Sequence, residues 1–314
     1  MSIQRNNIRR AAFILPLLLA GAVFFGCHDS IFEDIKQESA IGEDRIKGGA
    51  TGFVVFKGHI YFAPTNEGVI YRKANNSSSW YNRGHWEAIS CPEIPVYLAT
   101  SDDGQTLYLL TTTFQEGTDD FSGVNMPTGY YEYTSTSGDS GSWSSRINSY
   151  KYGILGTDIP DRYKEQNTRV RAPSGKVYSV AANSNVLYED RTPILYADQK
   201  DVKVGSWWCI AGTHDNLILG TSVGLFHMHT GSTDINDEVA PNDFSTAKSI
   251  FSGMTILSIY VGGTTKDSTG AWSCSDTSET SSVIYVFATG AGSSYAAQNG
   301  LYSYIPGQGW DSEF

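Results

Sequence analysis

Short apolar runs separated by polar turns recur along the chain from about residue 52 to its end. The first set comprises residues 52–56, a Lys57-Gly58 turn, residues 60–63 and residues 69–71. Runs of β-branched and aromatic residues bounded by Gly, Asp and Asn are typical of strands joined by hairpins. No long amphipathic helical pattern interrupts them, so the sequence predicts an all-β chain.

This four-strand pattern repeats along the chain. Further units begin near residues 96, 170, 208 and 256, and a Gly-led aromatic strand such as residues 129–133 is part of the pattern. Repeats of about 40–70 residues with this content resemble β-propeller blades. The resemblance implies a propeller of about five four-stranded blades, or six if residues 144–169 contain another. A sandwich or barrel whose strands merely recur is the alternative.

The N-terminal segment has the layout of a signal peptide. Three arginines precede an apolar stretch, residues 11–25, which ends at Gly26 and Cys27. A basic start, roughly 7–15 apolar residues and a small residue before the cleavage point define such a segment. The Gly26-Cys27 pair resembles the lipobox of bacterial lipoproteins, in which the cysteine is acylated, although Phe24 departs from the small aliphatic residue usual at its position.

The lipobox resemblance implies three parts: a signal peptide at residues 1–26, lipidated Cys27 with a flexible spacer at residues 27–50, and a propeller-like domain at residues 51–314. It also implies a bacterial envelope protein at the outer membrane, on either leaflet, held by several acyl chains such as palmitate. Several chains are needed because one alone binds a membrane only marginally. The combination is similar to spirochaete lipoproteins, such as those of treponemes. A cleaved signal without lipid and an uncleaved anchor are the alternatives.

Charge narrows the class of partner. The chain has 22 basic and 33 acidic residues, for a net charge of −11, and no strongly basic block. Because nucleic-acid binding depends on clustered Lys and Arg, we expect no nucleic-acid partner. The 19 tyrosines and 7 tryptophans agree with a strand-rich chain.

Three cysteines follow Cys27 in the chain, namely Cys91, Cys209 and Cys274. An odd number permits at most one disulfide within the chain, and the sequence leaves open whether any two of them pair. Their wide spacing argues against zinc, and buried, inert thiols are the simpler interpretation for at least one.

Two groups of residues are weak metal candidates. Three imidazoles that could form a zinc or copper site are those of His214, His227 and His229. Oxygen ligands suited to calcium are offered by Asp234, Asn236 and Glu238. We expect no carboxylate to orient the histidines, and the acidic segment lacks the Gly of a calcium loop. The sequence therefore predicts no metal or cofactor, with structural calcium as the alternative.

No catalytic group stands out from the sequence. A glycosidase needs two carboxylates that face each other at a defined separation. Acidic residues occupy predicted turns or insertions instead, at Asp102, Asp103, Asp119, Asp120, Asp234, Asp237 and Glu238. Solvated loop carboxylates are the usual outcome there, so we predict that the chain is not an enzyme.

Two turns resemble the Asp-box of sialidase-type propellers. They are residues 137–143, which end in Trp143, and residues 267–272, which end in Trp272. We interpret both as devices that stabilise turns, in which the Asp accepts backbone N–H bonds and the Trp wedges into the blade.

The remaining candidate surface is formed by long polar insertions near residues 113–128, 144–168, 230–250 and 262–282. Long loops on a rigid scaffold commonly carry binding. The aromatic residues in such loop context are Trp80, Tyr81, Tyr150, Tyr152 and Tyr163. We therefore expect a non-enzymatic binding or adhesion module for a protein or glycan ligand, with host extracellular matrix as a narrower version. A carbohydrate-active hydrolase or lyase and an envelope-assembly scaffold are the alternatives.

Overall fold

The computed structural model describes residues 52–64, 67–101, 104–111, 129–136, 141–147, 168–180, 184–196, 205–232, 235–236, 250–290 and 299–313. All of them belong to the compact unit Ile46–Phe314. Within these residues the chain is all-β and forms five sheets, as the alternating pattern predicts. None of the helices described is long and apolar enough to cross a membrane.

The first two sheets are four-stranded antiparallel meanders. Sheet 1 consists of β1 (Val54–Phe56), β2 (His59–Phe62), β3 (Val69–Ala74) and β4 (Glu87–Ser90). Sheet 2 consists of β5 (Pro95–Thr100), β6 (Thr106–Thr111), β7 (Gly129–Ser135) and β8 (Gly141–Trp143). A single helical turn, α1 (Ser77–Trp80), connects β3 to β4 and is capped by the Asn76 side chain.

The other three sheets repeat this arrangement. Sheet 3 contains β9 (Arg169–Arg171), β10 (Val177–Val180), β11 (Val186–Glu189) and β12 (Thr192–Tyr196). Sheet 4 contains β13 (Trp207–Gly212), β14 (Asn216–Thr221), β15 (Leu225–His229) and β16 (Ile235–Asn236). Sheet 5 contains β17 (Thr255–Val261), β19 (Ile284–Thr289), β20 (Gly300–Ile305) and β21 (Gly309–Ser312).

Hairpin turns follow the chemistry that the sequence predicts. Phe56 pairs with His59, which leaves Lys57 and Gly58 as a two-residue loop with φ of 47° and 74°. Positive φ at both loop positions is the type I′ geometry, whose twist matches that of the flanking strands. In the β11–β12 turn φ is likewise positive at both loop residues, 47° at Asp190 and 71° at Arg191.

One segment departs from the meander. Residues 262–282, here called the strap, leave sheet 5 after β17 and return at β19. The strap contains β18 (Trp272–Ser273), which pairs in parallel with β9 and so becomes a fifth strand of sheet 3. The strap is therefore only partly a surface loop: Asp276, Thr277 and Ser278 are exposed, whereas Ser275, Glu279 and Ser282 are buried.

The core lies between the sheets. One buried cluster joins side chains of sheets 1, 3, 4 and 5, including Phe62, Tyr178, Trp207 and Tyr285. Packing is tight where small residues occur: a Cβ added at Gly220 would lie 2.4 Å from Cys209 Sγ. A larger side chain at this position, near the end of the second strand of sheet 4, would therefore meet the neighbouring strand.

The three cysteines after Cys27 are all free thiols. Burial raises the pKa of Cys91 to about 12 and that of Cys274 to about 11, and it raises the pKa of fully buried Cys209 as well. A high thiol pKa leaves almost no thiolate at neutral pH, which is the reactive form. The expectation of an inert buried thiol is therefore confirmed, and no pair of these cysteines forms a disulfide.

Candidate functional site

A buried carboxyl group lies at the junction of the strap and sheet 4, and it is the described group best suited to acid–base chemistry. Glu279 begins a 3-10 turn, Glu279–Ser281, which follows extended Ser278 and closes with a 3.2 Å bond from Ser282 N–H to the Glu279 carbonyl. This single turn directs the Glu279 side chain inward, and the residue is 3% exposed. Neither carboxyl oxygen makes a hydrogen bond of regular geometry with the described residues.

His227 faces this carboxyl from β15. Its Nδ1 lies 3.6 Å from Glu279 Oε2, and the residue is 4% exposed. The strand holds the imidazole in place because His227 pairs with Ile218 of β14, in the middle of a fully buried strand. The two ionisable side chains therefore meet inside the protein, on elements that are far apart in the sequence.

Both groups are shifted toward their neutral forms. Burial is the largest cause that raises the pKa of Glu279 to about 7; the Asn216 side chain offsets part of the rise, and the Asp215 carboxylate adds to it. Burial likewise lowers the pKa of His227, and the neighbouring His229 lowers it further. Desolvation disfavours any charged form, so burial favours the uncharged acid and the uncharged base in this contact.

Hydroxyl groups fix the shape of the strap beside Glu279. Ser275 Oγ lies 2.9 Å from Thr277 Oγ1, which lies 2.7 Å from Ser282 Oγ. Ser282 Oγ also donates to the Ser278 carbonyl at 2.8 Å. These bonds close the turn that carries Glu279, so the position of the carboxyl is set by the strap itself.

An exposed acid–base pair lies on the outer side of the same junction. His214 Nδ1 lies 2.6 Å from Asp215 Oδ1, and the two side chains are 57% and 60% exposed. The His214 backbone N–H donates to the Thr277 carbonyl at 3.0 Å, so this turn of sheet 4 also binds the strap.

The three candidate histidines lie in different environments. His227 is buried against Glu279, whereas His214 and His229 are exposed. The described residues contain no group of three or more His, Cys, Asp or Glu side chains arranged to hold a metal. The expectation that no carboxylate lies near the histidines is wrong, because Asp215 contacts His214 and Glu279 contacts His227.

Most of the candidate calcium ligands and all of the candidate catalytic carboxylates lie outside the described residues. Asp234 and Glu238 of the calcium group lie outside the described residues, and of Asn236 only the backbone is described, in β16. Also outside the described residues are all seven loop carboxylates considered for glycosidase chemistry: Asp102, Asp103, Asp119, Asp120, Asp234, Asp237 and Glu238. Structural calcium and catalysis by loop carboxylates, the two alternatives weighed from the sequence, both concern these positions.

Two of the five aromatic binding candidates are described. Trp80 packs against the strap, where a Cβ added at Gly262 would lie 3.2 Å from its ring, and its Nε1 donates to Asn75 Oδ1 at 3.0 Å. Tyr81 is 44% exposed, beside that contact. The remaining three lie outside the described residues, namely Tyr150, Tyr152 and Tyr163.

The Asp-box-like turn at Asp267 behaves as expected. Asp267 Oδ1 accepts the backbone N–H of Thr269 at 2.7 Å and of Ala271 at 3.1 Å. Its Oδ2 binds Arg171 Nε at 2.7 Å, which ties the turn to β9. The interpretation as a turn device with a buried Trp is confirmed here, whereas the equivalent Asp139 lies outside the described residues.

Comparison with known proteins finds no matching family model and no matching curated protein. Among solved structures, the chain is similar to a catalytically inactive variant of virginiamycin B lyase from Staphylococcus aureus, with 8% identity, 85% of this chain and 70% of the other covered, and a TM-score of 0.25. The extracellular domain of a proposed one-component system from B. thetaiotaomicron has 13% identity and a TM-score of 0.28; 84% of this chain matches 27% of that one.

A third solved structure is the GH74 enzyme of Niastella koreensis, with 14% identity, 84% of this chain and 31% of that chain covered, and a TM-score of 0.24. The chain thus spans less than a third of the length of two of these three structures. Likenesses of this size carry no inference about activity.

Proposed function

We propose that this chain is a membrane-anchored lipoprotein whose body is a β-propeller-like scaffold and serves as a non-enzymatic binding module for a protein or glycan ligand. The propeller interpretation is supported by five sheets whose four principal strands follow one another in the chain. It is further supported by contacts between β1 and β5, between β9 and β13, and between β13 and β17. Sheets 5 and 1 also touch, since Tyr285 of β19 packs against Trp86, which directly precedes β4, and lies beneath Lys73 of β3.

The observation that carries the binding role is the way the strap covers sheets 3 and 4. Cys274 N–H donates to the Arg171 carbonyl of β9 and Ser275 N–H to the Gly212 carbonyl of β13. Since the strap buries Glu279 and His227, the ionisable pair is withheld from a ligand in this conformation. Exposed loop residues such as Tyr81 are then the groups available for contact, and exposed aromatic side chains are favoured anchors at interfaces.

A solid-phase screen of the acylated full chain against matrix proteins and glycans tests the binding role. We expect Tyr81→Ala to weaken capture of a ligand that uses this surface. Ile94→Ala is the matched control because Ile94 is equally exposed, at 44%, and precedes sheet 2. Equal binding by the wild type and Tyr81→Ala would remove this surface from the proposal, and co-purification with integral membrane proteins alone would favour an envelope scaffold.

The lipid anchor rests on Cys27 and its Gly26 neighbour. Acyl labelling of cells that express the wild type or Cys27→Ser tests it, with Cys91→Ser as a control cysteine. We expect label and membrane partitioning to be lost only in Cys27→Ser. Protease treatment of intact cells would then distinguish the outer leaflet from the periplasmic one.

A carbohydrate-active hydrolase is a second candidate, because Glu279 has the property of a general acid: burial raises its pKa to about 7. This role requires the strap to move, since Glu279 is 3% exposed in the structure. Turnover of a glycan that is lost in Glu279→Gln and kept in Asp276→Asn would favour the enzyme over the binding module.

A further inference from the structure

We propose that Glu279 and His227 form a pH-sensitive clasp, which holds the strap on sheet 4 while the carboxyl is protonated and loosens the strap when the carboxyl loses its proton. The clasp is independent of whether the chain binds a ligand or acts on one. It concerns when residues of sheets 3 and 4 beneath the strap become accessible.

The geometry makes Glu279 the buried ionisable anchor of this part of the strap. Between β18 and β19, the strap's other carboxylate is Asp276, which is exposed. The backbone bonds that hold this part to sheet 4 are those of Ser275 to Gly212 and of His214 to Thr277, both 3.0 Å. Few bonds hold it, so the free energy of one buried carboxyl is a large fraction of what keeps the strap in place.

The groups that face Glu279 offer little to stabilise a negative charge. From β14 and the turn before it come the Asn216 amide and the Asp215 carboxylate, and the latter opposes ionisation. From β15 comes His227, whose protonation is itself disfavoured by burial and by His229. His214 lies against Asp215 instead. A buried charge without a partner is costly, so the ionised carboxyl favours a state in which it reaches water.

The direction of the effect follows from the proton balance. With the strap closed the carboxyl has a pKa of about 7, and once exposed it returns to about 4.5, so opening releases a proton. Opening must therefore become more favourable as pH rises. These two values correspond to an increase of about tenfold in the opening equilibrium between about pH 6 and about pH 8. Burial lowers the pKa of His227, so with the strap closed this imidazole is held toward its neutral form.

Hydrogen exchange on the full chain at about pH 6 and about pH 8, corrected for intrinsic exchange rates, tests the clasp. We expect the hydrogen-bonded strap amides within residues 274–282 to open more readily than amides of β19, and to show about a tenfold larger opening equilibrium at the higher pH. In Glu279→Gln, which cannot ionise, the strap should show no such change. Asp276→Asn is the matched control because it removes an exposed strap carboxylate, and it should behave as the wild type.

A strap whose protection does not change with pH in the wild type would overturn the proposal. So would the same rise with pH in Glu279→Gln, or loss of that rise in Asp276→Asn. If Glu279→Gln fails to fold, the wild type still decides: the strap must open more readily than β19 while showing the rise with pH, and equal protection of the two segments would mean that the strap opens only with the whole fold.

Discussion

Lys73 Nζ lies 3.4 Å from Glu313 Oε2, and this ion pair joins sheet 1 to the end of the chain with side-chain exposures of 2% and 0%. The ammonium also sits over the rings of Trp86 and Tyr285, at 5.5 Å and 5.3 Å. Glu313 Oε2 in turn accepts the Gly84 N–H and the Trp86 indole N–H, each at 2.8 Å. The first and last sheets thus share a buried, hydrogen-bonded charge pair.

Removing one partner of that pair should be strongly destabilising. We expect Glu313→Ala to lower the free energy of unfolding by about 3–5 kcal/mol, because it leaves the Lys73 ammonium buried without its carboxylate. Asp311→Ala is the control: its carboxylate is 70% exposed and pairs with Arg83, and exposed pairs contribute about 0–1 kcal/mol. Urea unfolding measures both. Equal losses in the two variants would contradict the inference that burial sets the cost.

The free energy of unfolding of the whole fold should also depend on the protonation of Glu279. Burial raises the pKa of its carboxyl from 4.5 to about 7, so its protonated form is favoured by folding, and stability is lost as pH rises through that range. One pKa unit corresponds to about 1.4 kcal/mol, so Glu279→Gln should gain about 2–3 kcal/mol relative to the wild type between about pH 4.5 and about pH 8. Urea titrations at both pH values measure this. A constant difference would show that the carboxyl is not desolvated as described.

The contribution of His227 to the pH dependence of stability should have the opposite sign. Burial lowers its pKa, so its contribution to stability is present above the unfolded value of 6.5 and is lost as pH falls through the folded value. The wild type should therefore lose stability relative to His227→Gln on acidification below about pH 6. His229→Gln provides the control, because that neighbouring histidine is exposed. The same acid sensitivity in wild type and His227→Gln would assign the effect to other groups.

The strands can be predicted because their determinants are local. A two-residue loop such as Lys57-Gly58 sets the register of its own hairpin, so β1 and β2 are specified by neighbouring residues. The Asp267 turn is equally accessible to prediction, since its bonds to Thr269 and Ala271 stay within a few residues. Local alternation and turn chemistry therefore predict the sheets and this device.

The strap and its carboxyl cannot be predicted in the same way. Parallel pairing of β18 with β9 depends on which sheets are neighbours, and no turn residue encodes that. Glu279 lies in a run of Ser and Thr that is typical of a solvated loop, and only the seating of the strap on sheet 4 buries it against His227. Adjacent His214 and Asp215 are visible as a pair in the sequence, but their contact with the strap is not.

The close approach of the strap to β13 gives a final prediction. A Cβ added at Gly212 would lie 2.3 Å from Cys274 Sγ and 2.7 Å from Val170 Cγ1, so Gly212→Ala should destabilise the fold by about 1–3 kcal/mol. Gly68→Ala is the control because nothing lies within 4 Å of its added Cβ. Cys274→Ala in the Gly212→Ala background removes the nearer obstacle and should recover part of the loss. Thermal unfolding measures all three variants. Equal midpoints for Gly212→Ala and Gly68→Ala would mean that the strap does not lie on β13 as closely as the structure places it.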